Sequence, residues 1–254
     1  MATESAFLRV RPFGGLLPFV WTETLVQLHE NLAMATSMIV QGVLLIFVWI
    51  LNPGLIDVAL VGAILFSMFT MGQRVLNEAA YVRIDHKANE LYLASPLTPE
   101  AYFLGMALGI LIVYVAPVAV LGVLAEAVIH FTPVAAAILL GLAASVWLFS
   151  ASIGYIFSTF FRDNRAIWGY SSLFFNCFGV LFPVFFPLSL FPAALHPLAL
   201  LLPPSAAAGL MQSVLGAVTL SGGEVALAVG GLVAEVTTLF LLAVYWSRRT
   251  VREP

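Results

Sequence analysis

The sequence predicts an all-α integral membrane protein with six transmembrane helices, and three observations predict it. First, 62% of the 254 residues are apolar and only 9% are charged, a balance far from that of water-soluble domains. Second, apolar runs long enough to cross ~30 Å of hydrocarbon, at about 20 residues each, can be laid down six times, which leaves little chain for a soluble domain. Third, the 10 lysines and arginines fall between those runs or at the chain ends, and they occupy alternate connections. Positive residues are held on the cytoplasmic side of a membrane, so this alternation places both termini inside and requires an even number of crossings. The whole chain, 1–254, is expected to form one transmembrane domain in the cell membrane.

The elements follow in order. The amino-terminal stretch "MATESAFLRVRPFGG" lacks a compact apolar core and a small-residue cleavage site after its arginines, and it is read as retained. Leu17, Trp21, Leu25, Leu28 and Leu32 then recur at helical spacing, while Glu23, Gln27 and Glu30 fall away from that stripe. This predicts an amphipathic helix over 16–31 that lies along the inner membrane surface. The six spans are placed at 32–51, 55–76, 103–125, 133–158, 166–186 and 225–246. "NPG" at 52–54 turns the first into the second, and "HFTP" at 130–133 turns the third into the fourth, with Thr132 capping a helix that Pro133 opens. Arg9 and Arg11 precede the first span; Arg74, Arg83 and Lys87 lie at and after the end of the second; Arg162 and Arg165 follow the fourth; Arg248, Arg249 and Arg252 follow the sixth.

Between the fifth and sixth spans the chain stays apolar but is broken by Pro183, Pro187, Pro192, Pro197, Pro203 and Pro204. Too apolar for water and too broken to cross as one straight helix, 187–218 is expected to be a re-entrant hairpin entered from the outer face. A seventh crossing would put the C-terminal arginines outside.

Composition also excludes chemistry. A formal net charge of -3 does not suit a phosphate backbone, so no nucleic acid is expected as a partner. The one lysine, Lys87, follows His86 and stands in no glycine-rich loop, so the chain carries no P-loop for ATP. His29, His86, His130 and His196 show no ligand spacing, and the single Cys177 forms no metal cluster, so neither a metal nor a cofactor is expected in this chain. No nucleophile or carboxylate motif of an enzyme is present. Gln41 in the first span and Asn176 in the fifth are suited to joining helices by hydrogen bonds. Glu235 sits about 16 Å along a helix from Trp246, near the middle of the sixth span. A carboxyl there is either a proton or cation relay, a contact to a polar substrate group, or a protonated group bonded to a neighbouring helix. Phe66 and Phe69 in the second span, and Phe174, Phe175, Phe178 and Phe182 in the fifth, read either as a wall for flat hydrophobic ligands or as ordinary packing.

The segment "EAAYVRIDHKANELYLASPLTPEAYFLGMALG" joins the second and third spans. In it Pro96 biases Ser95 out of the helical region and ends one helix. Thr98 caps the next, Pro99 occupies its first turn and Glu100 suits its positive end. With Glu78, Arg83, Asn89, Glu90, Leu91, Leu93, Ser95, Pro96, Leu97, Thr98, Glu100, Leu104 and Gly105 in place, the segment resembles the signature region of type-2 ABC export permeases, the membrane subunits of ATP-driven exporters. The later stretch "VLFPVFFPLSLFPAALHPLALLLPPSAAAGLMQSVLG" is similar to the re-entrant region of the same family, and the resemblance covers essentially the whole chain.

That resemblance implies a dimer of permeases, either two copies of this chain or this chain with a second permease, above two cytoplasmic ABC ATPase subunits that bind ATP and magnesium. It implies a coupling helix over 77–94, inserted into a groove of the ATPase, with Glu78, Arg83, Asp85, Lys87, Glu90, Ser95, Pro96, Thr98 and Glu100 as coupling residues. The first, second and fifth spans would line the substrate pathway, with Phe66, Phe69, Phe174, Phe175, Phe178, Phe182 and Glu235 as candidate pathway residues. The expected function is export of a hydrophobic or amphipathic substrate by alternating access. Two rival readings stand beside it. A proton-coupled carrier would use Glu235 as its relay and would show an internal repeat, which the sequence does not display. A non-transporting membrane scaffold, or an intramembrane enzyme, would use the same inner helix for docking alone.

Overall fold

The computed structural model of the chain describes residues 14–29, 31–84, 97–161, 163–180 and 182–250. These residues are helical and turn structure, with no strand among them. In chain order the helices are α1 (Leu16–Leu28), α2 (Asn31–Leu51), α3 (Ile56–Ile84), α4 (Pro99–Ile129), α5 (Pro133–Ser158), α6 (Asn164–Val180), α7 (His196–Leu201), α8 (Pro203–Val214) and α9 (Gly222–Thr250).

Their starts are set by local chemistry. Asn52 accepts the N–H of Gly54 and opens a 3₁₀ turn, Pro53–Leu55, that leads into α3. Thr98 and Thr132 each accept the backbone N–H three residues on, at 3.2 Å, with proline in the first turn of α4 and α5. This is the N-cap arrangement that satisfies otherwise orphaned donors. Ser221 and Glu224 form a reciprocal capping box at the head of α9.

α3 is the central helix. Every residue from Val58 to Phe69 is buried, a pattern that fits a helix apolar all round and enclosed by others. α5 crosses it at backbone contact distance. A Cβ on Gly72 would stand 2.2 Å from the Ser150 carbonyl oxygen, and one on Gly154 would stand 2.1 Å from that of Gly72. The Ser150 hydroxyl donates to the Met68 carbonyl at 3.0 Å across this contact. Small residues at a crossing let two membrane helices gain backbone van der Waals contact where no hydrophobic drive separates helix from lipid. α4, α6 and α8 complete the packing around α3, and α9 closes the bundle against α5, α8, α7 and α4.

Among the described residues, four stretches are long and apolar enough to cross a membrane: Pro53–Ile84, Pro99–Ile129, Pro133–Ser158 and Gly222–Arg249. A fifth counts if the pair Ala193–Leu201 and Pro203–Val214, bent by 111°, is taken as one broken span. Pro203 and Pro204 lie at that bend, where neither ring nitrogen can donate to a continuing helix. The second arm, α8, buries Pro203 to Gly209 along with Met211 and Gln212. Gln212 fixes it in place, donating to the Phe186 carbonyl at 3.2 Å and accepting the Leu188 N–H at 3.1 Å.

Two boundaries differ from those expected. No break separates the second span from the segment after it, because α3 runs on to Ile84 with neither glycine nor proline after Gly72 to stop it. Of the expected coupling helix, 77–84 is therefore the last part of α3, and 85–94 lies outside the described residues. The expected fifth span is helical as α6, described to Val180, and 182–186 is turn and bend rather than its continuation, as suits a segment that contains Pro183 and precedes Pro187.

α1 also presents its faces in an informative way. It runs in the same direction as α4, with Gly15 beside Leu97, Phe19 against Gly105 and Glu23 against Gly109. Glu23, Thr24 and Gln27 are buried, and the Gln27 amide donates to the Glu23 carboxylate at 3.1 Å. Leu17, Trp21, Leu25 and Leu28 are exposed. The polar side thus faces protein and the apolar stripe faces outward, the order suited to a lipid surround.

Candidate coupling end and substrate clefts

Side chains at one end of the bundle, the end that carries Arg83, Arg248 and Arg249, tie several helices together. Arg83, near the end of α3, donates to the Thr159 carbonyl at 3.0 Å, to the Phe161 carbonyl at 2.7 Å and to the Ser158 carbonyl. These carbonyls end α5, where the helix dipole is negative and unpaired acceptors remain, so a planar guanidinium fork suits them. The Trp246 indole of α9 donates to the Thr159 hydroxyl at 3.0 Å. Glu100, in the first turn of α4, pairs with Arg248 in the last turn of α9. The Thr98 N–H reaches back to the Gly14 carbonyl at 3.4 Å. The chain on either side of residues 85–96 is therefore fastened to α5 on one side and to α9 and the start of α1 on the other.

Above this end, two clefts flank α6. The first, about 170 Å³, is lined by Val40 and Gln41 of α2, by Phe66, Thr70, Met71, Gln73, Arg74 and Asn77 of α3, by Tyr114 of α4, and by Trp168 and Asn176 of α6. The second, about 440 Å³, is apolar apart from Ser171 and lies among Leu76, Phe157, Phe161, Tyr170, Leu173, Phe174 and Cys177. A polar seam separates them. Gln73 donates to the Ser172 hydroxyl at 2.9 Å, and the Ser171 hydroxyl donates to the Asn77 carbonyl oxygen at 3.1 Å. Among the described residues no group of three histidine, cysteine, aspartate or glutamate side chains could hold a metal ion.

Over residues 32–245 the sequence matches the family described as ABC-2 family transporter protein. The chain belongs to that family. Membership makes it a permease, the transmembrane subunit of an ABC transporter, and a multi-pass membrane protein without an ATPase site of its own. It also implies association with an ABC ATPase. No curated protein matches the permease.

The expected coupling residues of the permease fall into two groups. Glu78, Arg83, Thr98 and Glu100 lie at the arginine end; Asp85, Lys87, Glu90, Ser95 and Pro96 lie outside the described residues. Arg83 is turned onto α5, and Glu100 is engaged by α9.

The expected pathway residues are not gathered in one place. Phe66 borders the first cleft and meets Phe185 edge-on at 5.3 Å, and Phe174 borders the second and meets Phe157 at 5.2 Å. Phe69 and Phe175 are fully buried against each other, 5.1 Å between ring centres. Phe182 packs near Phe191 at 6.3 Å. Phe178 belongs to α6, but its side chain lies outside what is described. Glu235 is half-buried on α9 and borders neither cleft.

Sequence reasoning passed over the polar stripe of the first cleft. Thr70, Gln73, Arg74 and Asn77 stand at i, i+3, i+4 and i+7 of one helix, a periodicity that marks one face. Reading Arg74 only as the charged end of the second span concealed the stripe to which it belongs.

Proposed function

We propose that the permease is the membrane subunit of an ATP-driven exporter that moves a hydrophobic or amphipathic substrate by alternating access. Two permeases, identical or different, would stand above two cytoplasmic ABC ATPases that bind ATP and magnesium. Segment 77–94 would serve as the coupling helix, with Glu78, Asp85, Lys87, Glu90, Ser95 and Pro96 facing the ATPase or setting the turn before α4. Six crossings, with both termini cytoplasmic, follow if α2 and α6 cross beside the four longer spans and the α7–α8 pair dips in from the outer face and returns. The cation distribution supports that orientation.

The observation that carries the reading is the bracing on both sides of residues 85–96. Arg83 holds the end of α3 to the end of α5, and Glu100 holds the start of α4 to the end of α9. A push delivered to the segment between them would reach four helices together. The clefts beside α6, one among α2, α3 and α4 and the other between α3 and the end of α5, offer the space whose shape such a push would change.

The test is co-purification of the permease with its ABC ATPase, followed by ATP hydrolysis in lipid with Glu90→Ala. Glu90 is the choice because Arg83 already serves the permease's own packing. A tenfold loss of permease-dependent hydrolysis, with the permease still folded, is expected. Failure of any ABC ATPase to bind, or unchanged hydrolysis in the variant, would sink the proposal.

A further inference from the structure

In a largely apolar bundle, the first cleft gathers carboxamides from three helices: Gln41 of α2, Gln73 and Asn77 of α3, and Asn176 of α6. Several of its polar groups already serve the fold. Thr70 donates to the Ser67 carbonyl at 3.0 Å, and Gln73 to the Ser172 and Ser171 hydroxyls at 2.9 and 3.5 Å. The Arg74 guanidinium lies over the Tyr114 ring, 5.5 Å from its centre, and interacts further within the protein. Charge is therefore not what this cleft has to spare. Three carboxamides are less committed. The Asn77 amide nitrogen is buried and has no hydrogen-bond partner among the described residues, although its carbonyl oxygen accepts from Ser171 at 3.1 Å. Gln41 is only 3% exposed, and among the described residues neither its side chain nor that of Asn176 makes a hydrogen bond.

Amides shut away from water are costly unless bonded, and are retained where something satisfies them. A carboxamide both donates through its nitrogen and accepts through its oxygen. With the Asn77 oxygen already used, that residue asks for an acceptor, while Gln41 and Asn176 can still take both kinds of partner. A phosphate or carboxylate accepts only and would leave their oxygens unanswered; an ammonium donates only and would leave the Asn77 nitrogen unanswered. An uncharged amide has a donor and an acceptor on separate atoms and meets all three. Size narrows the ligand further. At about 170 Å³ the cleft is smaller than the ~300–1,000 Å³ that encloses a whole small-molecule ligand, so it takes part of one. From its rim, Val40, Val43 and Phe47 of α2 continue along one helical face, apolar and exposed, where an apolar body would lie.

We propose that this cleft seats an uncharged amide head group of an amphipathic substrate, with Gln41, Asn77 and Asn176 as its specificity-determining residues. The proposal rests on the transport reading and names the substrate class within it.

The test uses the full permease in phosphatidylcholine nanodiscs, without ATPase. Dodecanamide, methyl dodecanoate, dodecyl phosphate and acetamide are titrated in turn, and binding is read from tryptophan emission that disappears in Trp168→Phe. Dodecanamide is expected to bind about tenfold more tightly than each of the others, because a site built to bond a donor rejects an analogue that lacks it. Gln41→Met and Asn176→Ala, the second at an exposed position, remove acceptors and are expected to abolish the advantage of the amide over the ester. Asn77→Asp exchanges the buried donor for an acceptor while keeping the partner of Ser171, and is expected to weaken amide and ester alike. Unfolding temperatures show that each variant is folded. Equal binding of methyl dodecanoate or dodecyl phosphate, an amide preference that persists in both Gln41→Met and Asn176→Ala, or unchanged dodecanamide binding in a folded Asn77→Asp would overturn the assignment. Acetamide binding as tightly as dodecanamide would overturn its amphipathic half. Because no ATPase is present, loss of amide preference alongside intact ATPase association refutes the head-group site alone. Absence of ATPase association alongside selective binding refutes the transport reading alone.

Discussion

Arg83 shows how a residue's type and its task come apart. In the sequence it is one cation in a charged connection; in the structure its guanidinium reaches three carbonyls at the end of α5. Arg83→Met should therefore lower stability by about 2 kcal/mol, the scale of a charge-assisted bond to a helix end. Arg83→Lys should recover about half, since an ammonium lacks the planar fork. Denaturant titration in mixed micelles measures both, and a variant as stable as the parent would contradict the capping role. The caps themselves were legible: Thr98 and Thr132 precede prolines that cannot use the missing donor, and both are N-caps. The target of Arg83 was not legible, because its acceptors lie more than seventy residues away and are backbone atoms, which leave no mark on side-chain pattern.

At the scale of the element, the crossing of α3 and α5 gives the sharpest contrast. A Cβ on Gly154 meets the Gly72 carbonyl oxygen, whereas one on Gly141 of the same helix meets nothing within 4 Å. Gly154→Ala should cost about 3 kcal/mol, the upper part of the usual range for overpacking, while Gly141→Ala should be neutral or raise stability by up to about 1 kcal/mol. Unfolding midpoints of the two variants decide it, and equal effects would mean that the close crossing is absent. The start of α5 was readable to the residue, because threonine and proline punctuate it. The continuation of α3 through 77–84 was less so, because charged residues suggested a new element where the backbone simply continues. For α1 the stripe of Leu17, Trp21, Leu25 and Leu28 was visible, but periodicity does not state what covers the opposite side. Here Glu23 is buried against Gly109 of α4, and Gln27 is buried and bonded to Glu23.

For the whole molecule, the orientation can be checked with the chain's own economy of sulfur. Cys177 is the only cysteine, so Cys177→Ser provides a clean background. On it, Thr219→Cys, in the exposed connection before α9, should react with a membrane-impermeant maleimide from outside intact cells. Asp163→Cys, in the exposed turn after α5, should react only in inverted vesicles. The opposite pattern would reverse the assignment of the arginine end to the cytoplasm. Fold class and orientation could be argued from composition because they depend on summed properties, namely hydropathy over some twenty residues and the side on which cations collect. The clefts could not, since their walls come from α2, α3, α4, α5 and α6 and depend on which faces those helices turn toward one another.

The union of α3 with α5 has one more consequence. The pair touches backbone to backbone at Gly72 and Gly154, and it is pinned again by Arg83, eleven residues beyond Gly72 on α3, at carbonyls four to seven residues beyond Gly154. Two helices fixed at two separated points behave as a strut: a load at one end tilts or shifts both as a unit, and neither can bend away from the other. In the proposed cycle, strain entering at Ile84 would be relieved where α2 and α6 lie against α3, by small sliding of packed helices. Stiffness at the centre of the bundle would thus confine the working deformation to its flank, where both clefts are.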